Sequence, residues 1–344
     1  MSAAPTRAQQ RARWSCPEAR LLLPYSAPRE TWLDERRRGI GGSDASTIAG
    51  VNRWTSPYEL WVDKTGRSLG DKPETPAMRM GNLLEPILLR LFTEETGLAT
   101  RRAGLMASKV RPWQRVSLDA LSEDGGIVEC KTTGWRLARE WDDDQVADHA
   151  EIQAQHALAV TGRLHAWVVV LIDGRDFRWR KVERDEALID TITQLEHEFW
   201  HDHVLADVPP PPDAAALDVI KEQYRVVYSD TREADDPERL ALLVERLASA
   251  KALGRVAKRD VEAAEAELRL MLGGADALTV DGEPILTGHA NGTFAAKRFV
   301  ETHPDVAEQY MTTAPVLDVE RLKVEQPDLY AEHRARVLRP VKGK

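Results

Sequence analysis

The 344-residue sequence predicts an α/β protein with a mainly α-helical C-terminal region, on three observations. Two short, partly β-branched runs, 115–121 and 127–132, flank Asp124-Gly125-Gly126, whose glycines supply the positive φ angles of a tight reversal. A seven-residue apolar run, Ala166–Ile172, turns at Asp173-Gly174 into 177–182, and a helical segment separates these two hairpins. Beyond Pro209–Pro212 the apolar spacing over 236–272 is that of a helix,.

Size and composition agree with this class. The chain is longer than one core usually needs, so two domains are expected. With 42% hydrophobic and 30% charged residues it reads as globular, and no apolar stretch approaches the roughly 20 residues that span a bilayer,. The Arg-bearing N-terminus has no apolar segment of a secretory signal, and two cysteines exclude a disulfide framework,; a cytoplasmic protein without membrane contact is expected. A net charge of −9 gives no general field for polyanions, so any basic surface must be local,.

In chain order, 1–28 reads as a flexible lead-in. Residues 29–38 suit a helix that runs into Ile40-Gly41-Gly42-Ser43-Asp44. There two glycines mark a turn into a new helix capped by Ser43 or Asp44, with Arg36, Arg37 and Arg38 close by. Such a helix start, with the Ser43 hydroxyl, is a cradle for a phosphate or a simple cap. Another helix spans 56–64. After a Pro-bearing loop, 71–76, an amphipathic helix runs to Thr96. Its Asn82 as N-cap would put Glu85 where a carboxylate closes a capping box. Residues 98–110 read as extended, 135–144 as a polar loop or short helix, and 149–160 as a helix on which His156 packs rather than ligates. A helix over 185–203 closes the α/β domain at 207, and 208–213 forms a stiff proline spacer. Residues 214–344 hold the long helical stripe, a small hairpin at 279–287 and short helices over 303–333, a region suited to assembly or partner binding.

Chemistry points to the first hairpin. Alternation puts Glu129 and Lys131 on one face of their strand, and Asp119 can lie opposite Glu129. Two carboxylates at one point form a hard-oxygen site for Mg²⁺ or Mn²⁺, with Lys131 placed beside a metal-bound water. Taken alone, a Glu-x-Lys is better explained as a solvated cross-strand pair.

Several pieces nevertheless coincide in order and spacing. They are Trp32-Leu33-x-x-Arg36 with Ile40-Gly41-Gly42-Ser43-Asp44-Ala45, Gly81-Asn82-x-x-Glu85, Ser117-Leu118-Asp119, Glu129-Cys130-Lys131, and Gln153-Ala154-Gln155-His156 with Val160-Thr161-Gly162. Together they resemble the lambda-exonuclease and YqaJ-like viral recombinase nucleases of the PD-(D/E)xK superfamily, over about 32–200. Leu118 and Ala120 depart from the Pro and Gly common in the motif.

The resemblance implies a restriction-endonuclease-like mixed sheet flanked by helices over 29–207. It implies Asp119 and Glu129 as metal ligands, the Cys130 carbonyl completing the shell, and Glu85 acting directly or through water. Lys131 becomes the catalytic lysine, Gln153 the glutamine lining the site, and Arg36 with Ser43 the holders of a terminal 5′-phosphate. The implied activity is Mg²⁺-dependent 5′-to-3′ digestion of linear duplex DNA, leaving 3′ overhangs for a single-strand annealing recombinase, with a homo-oligomer open. A structure- or site-specific endonuclease and a non-catalytic DNA-binding scaffold remain alternatives.

Overall fold

In the computed structural model, which describes residues 13–68, 75–224, 231–288, 296–308 and 319–327, the chain divides into two units, 1–223 and 224–344. The first unit begins with β1 (Ala19–Leu23), α1 (Arg29–Arg37), α2 (Gly42–Ile48), α3 (Pro57–Lys64) and α4 (Pro76–Thr96). Short strands follow: β2 (Thr100–Arg101), β3 (Leu105–Ser108), β4 (Arg115–Ser117), β5 (Ala120–Ser122) and β6 (Ile127–Thr133). A 3₁₀ segment over Trp135–Trp141 leads to α5 (Asp148–Thr161), β7 (His165–Ile172), β8 (Asp176–Glu183) and α6 (Glu186–Glu198). The last helix continues as a π-helical stretch, Phe199–Leu205, before α7 (Leu217–Gln223).

Two sheets result. β1, β3 and β4 form an antiparallel three-stranded sheet; the five-stranded sheet has the order β2-β5-β6-β7-β8 and is mixed, because β6 and β7 run parallel. Parallel neighbours need a crossover, and α5 supplies it. The expected mixed sheet flanked by helices is therefore present. On one face Val128, Val169 and Leu171 pack on Leu88, Leu89 and Phe92 of α4. On the other, Ile127, Val168 and Val170 meet Ala150, Ala154, Ala157 and Leu158 of α5 and Ile189 of α6. Coverage on both faces explains why β7 reads as an unbroken apolar run. Its reversal into β8 uses Asp173 and Gly174, both at positive φ, 52° and 74°,.

Two expected boundaries move. Of the lead-in 1–28, residues 1–12 lie outside the described residues, but Ala19–Leu23 pairs with β3. The Arg163 guanidinium also donates to the carbonyls of Arg13 and Ser15 at 2.7 and 3.0 Å. The proline stretch does not end the domain either. Ala216 is fully buried, and it packs with Val219 and Ile220 against Ile40, Tyr58, Trp61, Phe199 and Trp200, so the first unit extends through α7.

The second unit is led by α8 (Pro237–Leu272), a single helix of 36 residues. Its cap Asp236 accepts the Arg239 N–H at 2.9 Å, and Gly273 ends it. The hairpin β9 (Ala277–Val280) and β10 (Glu283–Thr287) turns at Asp281-Gly282, and α9 (Ala296–Thr302), α10 (Pro304–Glu308) and α11 (Val319–Glu325) follow. The expected loop residues 71–74 and the stretch 328–333 lie outside the described residues. Among the described residues no helix is long and apolar enough to cross a membrane.

Candidate active site

The stretch 115–121, expected as one strand, is broken. The chain leaves the three-stranded sheet after Ser117 and enters the five-stranded one at Ala120, so Leu118 is buried and Asp119 stands at the step. The β5–β6 register pairs Leu121 with Ile127 and Ala120 with Val128, which brings Asp119 to the level of Glu129. No further strand residue meets Cys130 there; the Cys130 N–H instead donates to Asp119 Oδ2 at 2.7 Å. One carboxylate thus ends the ladder and faces the site.

Glu129 and Lys131 project from the same face of β6, as strand alternation requires. Lys131 Nζ donates to Glu129 Oε1 and to Gln153 Oε1, each at 2.7 Å, and Gln153 Nε2 donates to Glu129 Oε1 at 2.5 Å. This closed triangle is not a solvated surface pair: Glu129 is 5% exposed. Gln153 arrives on α5, which a buried network holds in place. His156 Nε2 lies 2.8 Å from the Arg115 carbonyl at the start of β4, and its Nδ1 lies 2.6 Å from Glu196 on α6. His156 is a packed, satisfied residue, as expected.

Burial pushes the Asp119 carboxyl well above the usual carboxylate range, and the Glu129 and Glu85 charges add to the shift. For Lys131 burial acts to lower the pKa, but Glu129 and Asp119 outweigh it and the ammonium is stabilised. It is a fixed cation at neutral pH, suited to orienting a water rather than deprotonating one.

The capping-box alternative for Glu85 does not form. α4 starts at Pro76 with Thr75 as its cap, whose hydroxyl accepts the Met78 N–H at 3.1 Å. Asn82 is therefore internal, and no capping box forms with Glu85. Glu85 is salt-bridged to Arg102, whose guanidinium also donates to Tyr25 Oη at 2.6 Å and lies over that ring. Burial raises the Glu85 pKa and Arg102 opposes it. Arg102 carries no sequence signal, because its contact depends on the register of α4.

The donor set suits a hard divalent ion. Asp119, Glu129 and the Cys130 carbonyl offer oxygen only, as Mg²⁺ or Mn²⁺ prefers. Among the described residues no three His, Cys, Asp or Glu side chains gather closely enough to hold an ion alone.

A second cluster lies at the start of α2. Gly41, not Ser43 or Asp44, is the N-cap, and Asp44 Oδ2 accepts the Gly41 N–H at 2.9 Å from the third helical position. Arg36 Nη2 donates to Asp44 Oδ1 at 2.7 Å and to Ser43 Oγ at 3.1 Å, while Lys64 Nζ lies 2.6 Å from Asp44 Oδ2. Burial acts to raise the Asp44 pKa, but Arg36 and Lys64 hold it down at about 2. The sequence named Arg36 and Ser43, and Asp44 only as a cap; it missed Lys64 and the ion pairs by which Asp44 fixes Arg36. Arg37 and Arg38 turn away, to Asp63 and Glu35. Gly42 seats α2 on α5 so closely that a Cβ there would stand 2.7 Å from Gln153 Cγ.

Residues 31–164, which carry both clusters, match the model of the YqaJ-like viral recombinase domain. The Bacillus subtilis (strain 168) uncharacterized protein YqaJ is 39% identical over 202 residues, covering 57% of this chain. The chain spans 63% of that relative, less than two thirds of its length. The alkaline exonuclease LHK-Exo from Laribacter hongkongensis aligns at 22% identity over 52% of this chain and 94% of its own, with TM-score 0.45. A phage related exonuclease from Haemophilus somnus 129PT aligns at 14% identity over 49% and 96%, with TM-score 0.34.

Proposed function

We propose, from the match of residues 31–164 to the model of the YqaJ-like viral recombinase domain and from the site's geometry, that the chain is a metal-dependent deoxyribonuclease that digests linear duplex DNA from a 5′ end. The observation that carries this reading is the closed Glu129–Lys131–Gln153 triangle beside Asp119. Water attacks the phosphorus of a phosphodiester whose non-bridging oxygens carry negative charge, so the site must offset that charge and aim the water.

Mg²⁺, or Mn²⁺ in its place, would polarise a phosphoryl oxygen and lower the pKa of a bound water when held by Asp119, Glu129 and the Cys130 carbonyl. The Lys131 ammonium orients the attacking water and stabilises its deprotonated form. Gln153 fixes Lys131, since its amide accepts from the ammonium and donates to Glu129 at once. Glu85 and Arg102 form a neutralised pair at the same mouth. Arg36, held by Asp44, and the exposed Ser43 hydroxyl offer charge-assisted donors to a terminal 5′-phosphate,. The products are nucleotides and a 3′ single strand, which a single-strand annealing recombinase would take up in the cytoplasm.

Digestion of end-labelled linear duplex with and without a 5′-phosphate, in Mg²⁺ and in EDTA, tests the reading. Label release only in Mg²⁺, faster with the phosphate, is expected. A covalently closed circle should stay intact, and its nicking would make the enzyme an endonuclease instead.

A further inference from the structure

Helix α8 runs 36 residues and buries none of them, although most helical stability in proteins comes from packing an apolar face. It is about 54 Å long, and its sequence repeats in sevens. Leu240, Leu247, Gly254, Val261 and Leu268 occupy the a positions; Leu243, Ala250, Ala257, Ala264 and Met271 occupy the d positions. Apolar residues spaced 3.5 apart on average form the seam of a coiled coil. That seam is open to solvent, with Leu240 51%, Leu243 47%, Val261 65%, Leu268 40% and Met271 67% exposed.

We propose that α8 pairs antiparallel with α8 of a second copy of this chain. Bulk along the seam is unevenly placed: large side chains lie at the two ends and Ala250, Gly254, Ala257 and Ala264 form a narrow waist. In an antiparallel pair centred on the waist, Leu240 meets Met271 of the other copy, Leu243 meets Leu268, Leu247 meets Ala264, and Ala250 meets Val261. Large side chains then sit against large ones at the ends and against small ones toward the middle, so the two helices approach closely. A parallel pair would set Gly254 on Gly254 and each waist alanine on itself, whereas the antiparallel pair confines small-on-small contacts to Gly254 against Ala257 and fills the other waist alanines with Val261 and Leu247,.

The flanking charges choose the same direction. Antiparallel pairing places Arg246 beside Glu267, twice by symmetry. Parallel pairing would place Arg246 beside Lys251 and Asp260 beside Glu265, each twice by symmetry, with no opposite-charge pair to offset these like charges,. The antiparallel register also sets Lys251 against Lys258 near the axis, likewise twice by symmetry, and this unfavourable pair supplies a sharp test.

Sedimentation equilibrium of the full chain without DNA should show a reversible dimer. Arg246→Glu sets two acidic residues together and should weaken it about tenfold, and adding Glu267→Arg should restore it. Lys258→Glu should tighten the dimer. Circular dichroism of each variant establishes that α8 is still helical. A chain that stays monomeric at every concentration, or a double variant that fails to recover, overturns the proposal. Tightening by Arg246→Glu would mean parallel pairing and overturn it equally.

Discussion

The two units treat charge and apolar surface in opposite ways. In the first, buried ionic groups are matched atom to atom: Asp44 with Arg36 and Lys64, Glu196 with His156 and Gln114, Glu129 with Lys131 and Gln153. In the second, α8 exposes both its charges and its leucines. A domain that positions reacting groups needs one arrangement over-determined by contacts, whereas a helix that waits for another chain needs an open seam and local helix propensity. The same protein therefore has regions where one side chain matters greatly and regions where single changes hardly register.

The largest effect should come from breaking the site. Asp119→Ala, Glu129→Ala and Lys131→Ala are each expected to lower hydrolysis on the order of 10³-fold, with the unfolding transition retained and DNA still bound by Lys131→Ala. Near-normal turnover of either carboxylate variant in Mg²⁺ would refute the metal assignment. Next comes Asp44→Ala, which leaves Lys64 buried beside Arg36 without its carboxylate. A broken buried pair costs roughly 3–5 kcal/mol, measurable by urea denaturation. Because the folded pKa of Asp44, about 2, lies below its unfolded value near 3.8, its stabilisation is present above about pH 4. It is lost as the pH falls toward 2, and Asp44→Asn should flatten that acid limb.

A smaller effect separates two truncations. A chain ending at Gln223 should fold and cleave duplex, while one ending at Asp213 loses the seat of Ala216, Val219 and Ile220 and about 2–3 kcal/mol of stability,. Equal stability of the two fragments would return the boundary to the proline stretch. Arg36→Ala should slow 5′-phosphorylated duplex about tenfold and 5′-hydroxyl duplex little. The smallest change belongs to α8: Leu253→Ala, at an exposed flank, should shift the first unit's unfolding by under about 0.5 kcal/mol,.

Much of the first unit was legible in sequence where local pattern and tertiary role agree. Alternation alone put Glu129 and Lys131 together, and the apolar run of β7 with Asp173-Gly174 announced its hairpin. The misses share a cause: each depends on a distant partner. Asn82 reads as a helix cap until α4 is seen to begin beyond Thr75, and Arg102, the partner of Glu85, comes from a separate strand region. β1 is too short and mixed to announce itself, and needs β3 to be a strand. Four prolines look like a linker because nothing local shows that Ala216 is buried behind them.

Gly42 gives the site a property that neither cluster has alone. With Cβ room denied by Gln153, the start of α2, whose Ser43 accepts from Arg36 of α1, is seated directly on the side chain that holds Lys131. On the proposed reading the enzyme grips a chain end and cuts at a fixed offset from the grip, and the close seat of Gly42 on Gln153 would set that offset. Gly42→Ala would lengthen it by displacing Gln153, so the product should change in size or homogeneity before the rate of end binding changes at all.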